Sequence, residues 1–164
     1  MPDEGRAAWF CRKAGDLKQG MYVLAVSILK NEADVEDAMQ NALMQAYQHL
    51  DELRIFDKFR PWLFKILTNE CYHILRERRY DEDIDEITIT SPRLDADSET
   101  KMFLWETIQS LPEDYRTVIV LFYYEDMRIS DIAQVLGAST DTIKKRLSRA
   151  REKLRGLLDK EDFV

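Results

Sequence analysis

The sequence predicts an all-α protein: two small helical domains joined by a flexible acidic linker, the C-terminal one containing a helix-turn-helix. Three observations predict it. Apolar residues recur at spacings of three and four along most of the chain, with only five glycines and four prolines to interrupt them. No strand-like alternation bounded by turn residues stands out. Between Tyr80 and Glu99 the periodic pattern gives way to Asp81, Glu82, Asp83, Asp85, Glu86, Ser91, Pro92, Asp95, Asp97 and Ser98, which is the composition of a connector rather than of a core. The expected boundaries are 1–80 for the first domain, 81–98 for the linker and 99–164 for the second domain. Both domains are small for independent stability.

In the first domain, Arg6 to Ala14 predicts a short helix bearing Trp9 and Phe10. Leu17 to Lys30 predicts a second, with Tyr22, Ala25, Ile28 and Leu29 facing inward and Asn31 at its end. The next helix is expected from about Ala33 to Leu53, packed by Val35, Met39, Ala42, Ala46 and Leu50. Its other side carries Glu36, Asp37, Gln40, Asn41, Gln45 and Gln48, which periodicity alone reads as a solvated face. Ile55 to Lys58 breaks the pattern, and Asp57 is placed to cap a helix beginning at Phe59 or Arg60 with Pro61 in its first turn. That helix has a core stripe of Phe59, Leu63, Ile66, Leu67 and Ile74. A second stripe of Trp62, Lys65, Asn69, Tyr72, His73 and Arg76 mixes aromatics, an amide and cations. Aromatic faces stack on unpaired bases for ~1–3 kcal/mol per base while cations hold the backbone, so the mixture suits single-stranded DNA. Partly buried aromatics beside an ordinary surface histidine would give the same pattern.

In the second domain, Lys101 to Ser110 predicts a helix with Met102, Phe103, Trp105 and Ile108. Leu111-Pro112-Glu113 starts another, with Pro112 in its first turn. Tyr115, Val118, Ile119, Leu121 and Phe122 cover too much of its circumference for an exposed helix, so it is expected at the centre. From Met127 to Arg155 two helices meet at Gly137. Ile129, Ile132, Ala133 and Leu136 give the first an apolar face; the glycine closes it, and Ser139 or Thr140 can cap the next. On the second, Ile143, Leu147, Ala150 and Leu154 pack, while Lys144, Lys145, Ser148, Arg149 and Glu152 project elsewhere. Lys and Arg satisfy phosphate oxygens, and Arg also pairs with a guanine edge, each good bidentate pair giving about 1–3 kcal/mol of discrimination. A basic amphipathic helix alone would read as a solvated face; the short helix and glycine turn before it favour a DNA-reading motif.

At 164 residues, with 34% charged and 45% hydrophobic residues, the composition is that of a soluble globular protein. A net charge of -7 should repel phosphate overall, but its distribution matters more than its sum. Between Asp141 and Lys160 the basic residues Lys144, Lys145, Arg146, Arg149, Arg151, Lys153, Arg155 and Lys160 far outnumber Asp141, Glu152 and Asp159. Cys11 and Cys71 lack the spacing of a zinc motif or redox pair and are expected as reduced structural thiols. The apolar runs Tyr22–Ile28 and Val118–Tyr124 fall far short of the ~20 residues of a spanning helix, and Met1 opens an acidic stretch unlike a secretory signal. A cytoplasmic location without direct membrane insertion is therefore expected. No cofactor and no metal are expected either. A metal-dependent hydrolase built from His49, His73 and the carboxylates would need ligand spacing such as His-Glu-x-x-His, which the sequence lacks.

Three stretches in order carry a family resemblance: DVEDAMQNALMQAYQHLDELR, FRPWLFKILTNECYHIL and SLPEDYRTVIVLFYYEDMRISDIAQVLGASTDTIKKRLSRAREKLR. Together they resemble the extracytoplasmic-function (ECF) sigma factors of bacterial RNA polymerase, within the sigma-70 family, from about Leu17 to Leu158. The resemblance implies an alternative-sigma transcription initiation factor that binds core RNA polymerase, directs it to specific promoters and helps melt the minus-ten element. The first stretch would dock on the clamp helices of the β′ subunit through Asp37, Gln40, Asn41 and Gln45, with the β subunit a further partner. The second would open and read the minus-ten element with Trp62, Phe64, Lys65, Asn69, His73 and Arg76, the loop Ile55 to Lys58 helping to form a base pocket. The third would read the minus-thirty-five element with Thr140, Lys144, Lys145, Ser148 and Arg149, and hold a phosphate with Arg146. An anti-sigma factor is the implied regulator. Nucleotide addition would belong to the polymerase, leaving this chain without catalytic residues. The alternative, a conventional helix-turn-helix regulator that does not bind core polymerase, explains the final domain but leaves the stripe from Trp62 to Arg76 without a role.

Overall fold

The structure, a computed structural model, describes residues 5–80 and 99–161. The expected linker, 81–98, lies outside them. Among the described residues the secondary structure is helical throughout, and no helix is long and apolar enough to cross a membrane.

Helix α1 spans Arg6–Leu29 as one unbroken element, where the sequence predicts two. The expected break near Gly15 is absent because Phe10, Ala14, Met21, Leu24, Ala25 and Ile28 are all buried along the same run. An interior glycine costs a helix about 1 kcal/mol relative to alanine, whereas burying each large apolar side chain returns about 1.5–3 kcal/mol. At Lys30 the backbone turns left-handed (φ 58°) and its N–H closes on the Val26 carbonyl. Asn31 then acts as the cap of the following helix, its side chain accepting from the Asp34 N–H at 3.1 Å.

Helix α2, Glu32–Gln48, ends earlier than the expected Leu53. A short 3₁₀ turn, Leu50–Glu52, follows and still delivers Leu50 to the interior. A second such turn, Phe56–Lys58, leads into α3, Phe59–Tyr80. Helices α1, α2 and α3 pack mutually, with Leu63, Leu67 and Cys71 wholly inaccessible. Arg78 near the end of α3 donates to Asp34 at the start of α2 at 2.7 Å, where the carboxylate also suits the positive end of that helix.

Helix α4 spans Glu99–Gln109 and α5 Glu113–Ile119. Pro112 stands one residue before α5 in extended geometry (ψ 147°), not inside its first turn. Beyond Ile119 the chain widens over Val120–Tyr124, and the Glu125 N–H reaches back five residues to the Val120 carbonyl at 3.1 Å. Helices α6, Ile129–Leu136, and α7, Thr140–Glu161, complete the second group. Trp105 anchors it at 1% exposure, its ring edge-on to Tyr124 at 5.4 Å.

The two helical groups are packed on each other. Helix α1 meets α5, α3 meets α6, and the buried apolar residues of both groups form one continuous cluster.

Cys11 is exposed and Cys71 buried, neither in a disulfide. Burial pushes the Cys71 thiol well above its ordinary range, and the nearby Glu70 charge adds to this. Because the thiolate is the reactive form, iodoacetamide at neutral pH should modify Cys11 alone in the folded protein and both thiols in urea. Mass spectrometry checks this; fast alkylation of Cys71 without denaturant would contradict its placement.

Candidate nucleic-acid interface

The helix-turn-helix is set by its turn. Gly137 adopts φ 64°, the left-handed region where a side chain is strained, and its N–H closes on the Ala133 carbonyl. The Ala138 N–H bonds the same carbonyl at 3.0 Å. Ser139, one of the two residues expected to cap, accepts from the Thr142 N–H at 3.1 Å. Ile143, Leu147 and Ala150 then lock α7 onto the core, α7 packing on both α5 and α6. The opposite face presents Thr140, Lys144, Lys145, Ser148 and Arg149, all exposed, with Arg146 half-buried at its flank. At 1.5 Å per residue, Lys144 to Arg149 covers about 7.5 Å of helix, or roughly two base-pair steps in a groove about 12 Å wide.

Arg151 is a cation of another kind. Its Nε donates to the Tyr123 hydroxyl at 2.7 Å, and its guanidinium lies over the rings of Phe122 and Tyr123 at 5.4 and 5.7 Å. It is exposed, but it ties α7 to the end of the α5 segment.

On α3, Lys65, Asn69, His73 and Arg76 form one exposed face at spacings of four, four and three. Trp62 is half-buried at its upper end, tilted against Phe59 with centroids 6.0 Å apart. His73 sits 3.2 Å from Glu77, one turn on. Phe64 requires a correction. It is 0% exposed, beneath the Arg60 guanidinium, and offers no surface to DNA in this conformation. The reason is helical geometry: Phe64 is one residue from Lys65 in sequence but about 100° away around the axis. Tyr72, part of the mixed stripe by spacing, also turns inward. Burial, reinforced by the Glu113 charge, pushes its phenol up to about 12.

On α2, Asp37, Gln40, Asn41 and Gln45 are all exposed along one side. Gln45 Nε2 donates to Glu70 on α3. Asp37 and Asn41 share a cleft of about 310 Å³ with His73, Glu77 and Arg78, so the exposed faces of α2 and α3 adjoin. Met44 lies in the middle of this polar face at 61% exposure. The sequence reading passed over it, although an apolar residue off the buried stripe Val35, Met39, Ala42 and Ala46 is the available signal. Ile55 and Phe56, in the loop before α3, are likewise exposed at 60% and 44%, with Phe56 braced edge-on by Trp9 at 5.3 Å.

Comparison with known proteins matches the same two segments. Residues 16–80 match the Sigma-70 region 2 family, and residues 104–154 match Sigma-70, region 4. The RNA polymerase sigma factor SigV of Bacillus subtilis is 33% identical over 151 residues, covering 90% of this chain and 90% of its own. The ECF RNA polymerase sigma factor SigW of the same organism is 32% identical over 154 residues, covering 84% and 82%. Among solved structures, the sigma factor RpoE in complex with the anti-sigma factor NepR from Bartonella quintana superposes with a TM-score of 0.76 at 26% identity, over 91% of this chain and 98% of that one. CnrH in complex with the cytosolic domain of CnrY gives 0.67 at 29% identity, over 92% and 87%. With both conserved regions matched in order and relatives aligned over nearly their full length, the chain belongs to the extracytoplasmic-function sigma factors of the sigma-70 family, which bring core RNA polymerase to promoters.

Proposed function

We propose that this sigma factor divides its work among three surfaces. The exposed face of α7, with Thr140, Lys144, Lys145, Ser148 and Arg149 and with Arg146 on a phosphate, reads the minus-thirty-five element. Lys65, Asn69, His73 and Arg76 on α3, with Trp62 as the stacking ring and the loop at Ile55 and Phe56 beside it, capture the opened minus-ten strand. Capture of an unpaired base offsets the few kcal/mol that unstacking it costs. Asp37, Gln40, Asn41 and Gln45 on α2, now with Met44 among them, dock on the polymerase β′ clamp helices. The segment 1–80 carries the second and third surfaces and 99–164 the first, joined by 81–98. The observation that carries this reading is the outward basic face of α7 behind the Gly137 turn.

Nucleotide addition is the polymerase's chemistry, so the chain acts as a factor and not as an enzyme, in the cytoplasm. Control by an anti-sigma factor is supported by the solved relative RpoE, which is bound to the anti-sigma factor NepR. A conventional helix-turn-helix regulator independent of the polymerase has no use for the polar face of α2.

Run-off transcription with core polymerase on a promoter library tests the whole reading. For the docking face, Asp37→Ala with Gln40→Ala should weaken core binding at least tenfold, since hydrogen bonds involving a charged group are worth about 1.5–3 kcal/mol and 1.4 kcal/mol is a factor of ten. Equal affinity of the variant and the parent in a competition assay for core polymerase would remove this face from the docking site.

A further inference from the structure

The turn that leads into α3 places no side chain in the interior. Leu53 and Phe59 are buried, but Arg54 to Asp57 between them are exposed and Lys58 is half-buried. No side chain caps the 3₁₀ turn Phe56–Lys58; its backbone closes through the Lys58 N–H to the Ile55 carbonyl at 2.9 Å and the Phe59 N–H to the Phe56 carbonyl. A segment with so few buried apolar contacts opens locally at little cost. Its shape therefore depends on what its outward side chains lean on.

Phe56 leans on Trp9. The two rings meet edge-on with centroids 5.3 Å apart, and the same indole meets Phe59 edge-on at 5.2 Å. The positive edge of one ring lies on the negative face of the other, which favours that arrangement over others by a factor of about two to ten. Trp9 is 5% exposed and Phe59 3%, whereas Phe56 keeps 44% of its surface in solvent. A buried ring thus props an exposed one. Phe59 also carries Trp62, so the two rings assigned to the opened strand share a support beneath them.

Trp9 is itself held in place by α2 and α3. One turn before it, Arg6 donates to Asp51 Oδ1 at 2.7 Å and to the Tyr47 carbonyl at 3.0 Å, pinning the start of α1 to the end of α2. Its sequence neighbour Phe10 meets Tyr47 and Phe59 edge-on at 5.4 and 5.8 Å. These first turns of α1 precede residue 16, where the match to Sigma-70 region 2 begins. No residue assigned to promoter or polymerase lies there.

We propose that Trp9 is a positioning residue for minus-ten capture: from the start of α1 it holds Phe56 at the angle at which the loop meets an unpaired base. This rests on the reading of Ile55, Phe56 and Trp62 as part of the minus-ten surface. Trp9, covered by Phe56 and Phe59, meets no nucleotide itself. An unpropped Phe56 ring spends only part of its time in the competent orientation, and apparent affinity falls by that fraction.

The test uses holoenzyme formed from core polymerase and the full-length factor, bound to a promoter recovered by run-off transcription, its minus-ten element held unpaired by mismatches. Trp9→Leu keeps a large apolar side chain in α1 and removes the ring. It should weaken binding about fivefold while core affinity and the far-ultraviolet circular dichroism spectrum stay unchanged. Trp9→Phe, which restores a ring edge, should bind within about twofold of the parent. Phe56→Ala should weaken binding at least as much as Trp9→Leu, and adding Trp9→Leu to it should cost nothing more, the signature of one residue acting through another. A merely structural role would add its own loss. Parental binding by Trp9→Leu, an equal loss of core affinity, or a further loss of the same size on combination with Phe56→Ala would overturn the proposal. Parental binding by both Trp62→Ala and Phe56→Ala would instead overturn the minus-ten assignment.

Discussion

Replacing Lys145 and Arg149 together with alanine should abolish selection of the minus-thirty-five element while leaving affinity for core polymerase unchanged. Both side chains are exposed on the outward face of α7, on successive turns, and the Gly137 turn fixes the angle at which that face is presented. A good base-edge pair is worth about 1–3 kcal/mol. Losing two therefore costs about 2–6 kcal/mol, or roughly 30-fold to 10⁴-fold in discrimination. Competition between a matched and a scrambled upstream duplex measures this directly. Arg151→Ala provides the contrast, because that guanidinium is held by Tyr123 and Phe122: it should lower stability and spare sequence preference. Undiminished discrimination by the double variant would take the recognition surface off α7.

The largest stability loss is expected from Trp105→Ala. The indole is 1% exposed and meets Tyr124 edge-on, so its removal leaves a cavity in the smaller helical group. Large aromatic truncations in cores cost about 3–5 kcal/mol, against a total of about 5–15 kcal/mol for a typical domain. The melting temperature should fall by more than about 10 °C. Phe103→Ala, two residues away but 39% exposed, should shift stability by no more than about 0.5 kcal/mol. Paired urea titrations distinguish them, and a Trp105→Ala variant as stable as Phe103→Ala would contradict the packing of α4.

The helices were legible wherever the local pattern had a single interpretation. The stripe Val35, Met39, Ala42, Ala46 and Leu50 is buried as its spacing predicts, and Gly137 with Ser139 marks the turn as their chemistry requires. The expected break between Ala14 and Leu17 did not form, because a local helix penalty such as that of Gly15 is outweighed by burial against other helices. Phe64 misled because a family-based assignment of a helix face does not say which neighbours cover it. The packing of the two helical groups on each other, where Arg116 bonds the Ser27 carbonyl, Lys30 that of Gln109 and Arg60 that of Glu125, and Lys58 pairs with Asp131, was illegible altogether. Arg116 and Ser27 are 89 positions apart, and in sequence Arg60, Lys58, Lys30 and Arg116 look like ordinary solvated cations. Charge pairing across such a distance leaves no periodic trace. Met44 had a trace, an apolar side chain on a polar face, but that signal is weak until the opposite face is known to be full.

The absent side chain at Gly20 lets the Glu125 carboxylate lie directly against α1, where a Cβ would come within 2.7 Å of its Cδ. Because the crowding atoms are the far end of a flexible side chain, an alanine there would displace the carboxylate and leave the helices in place. The close approach of the two helical groups at this point is thus forgiving: it is set by a side chain that can swing aside and not by touching backbones.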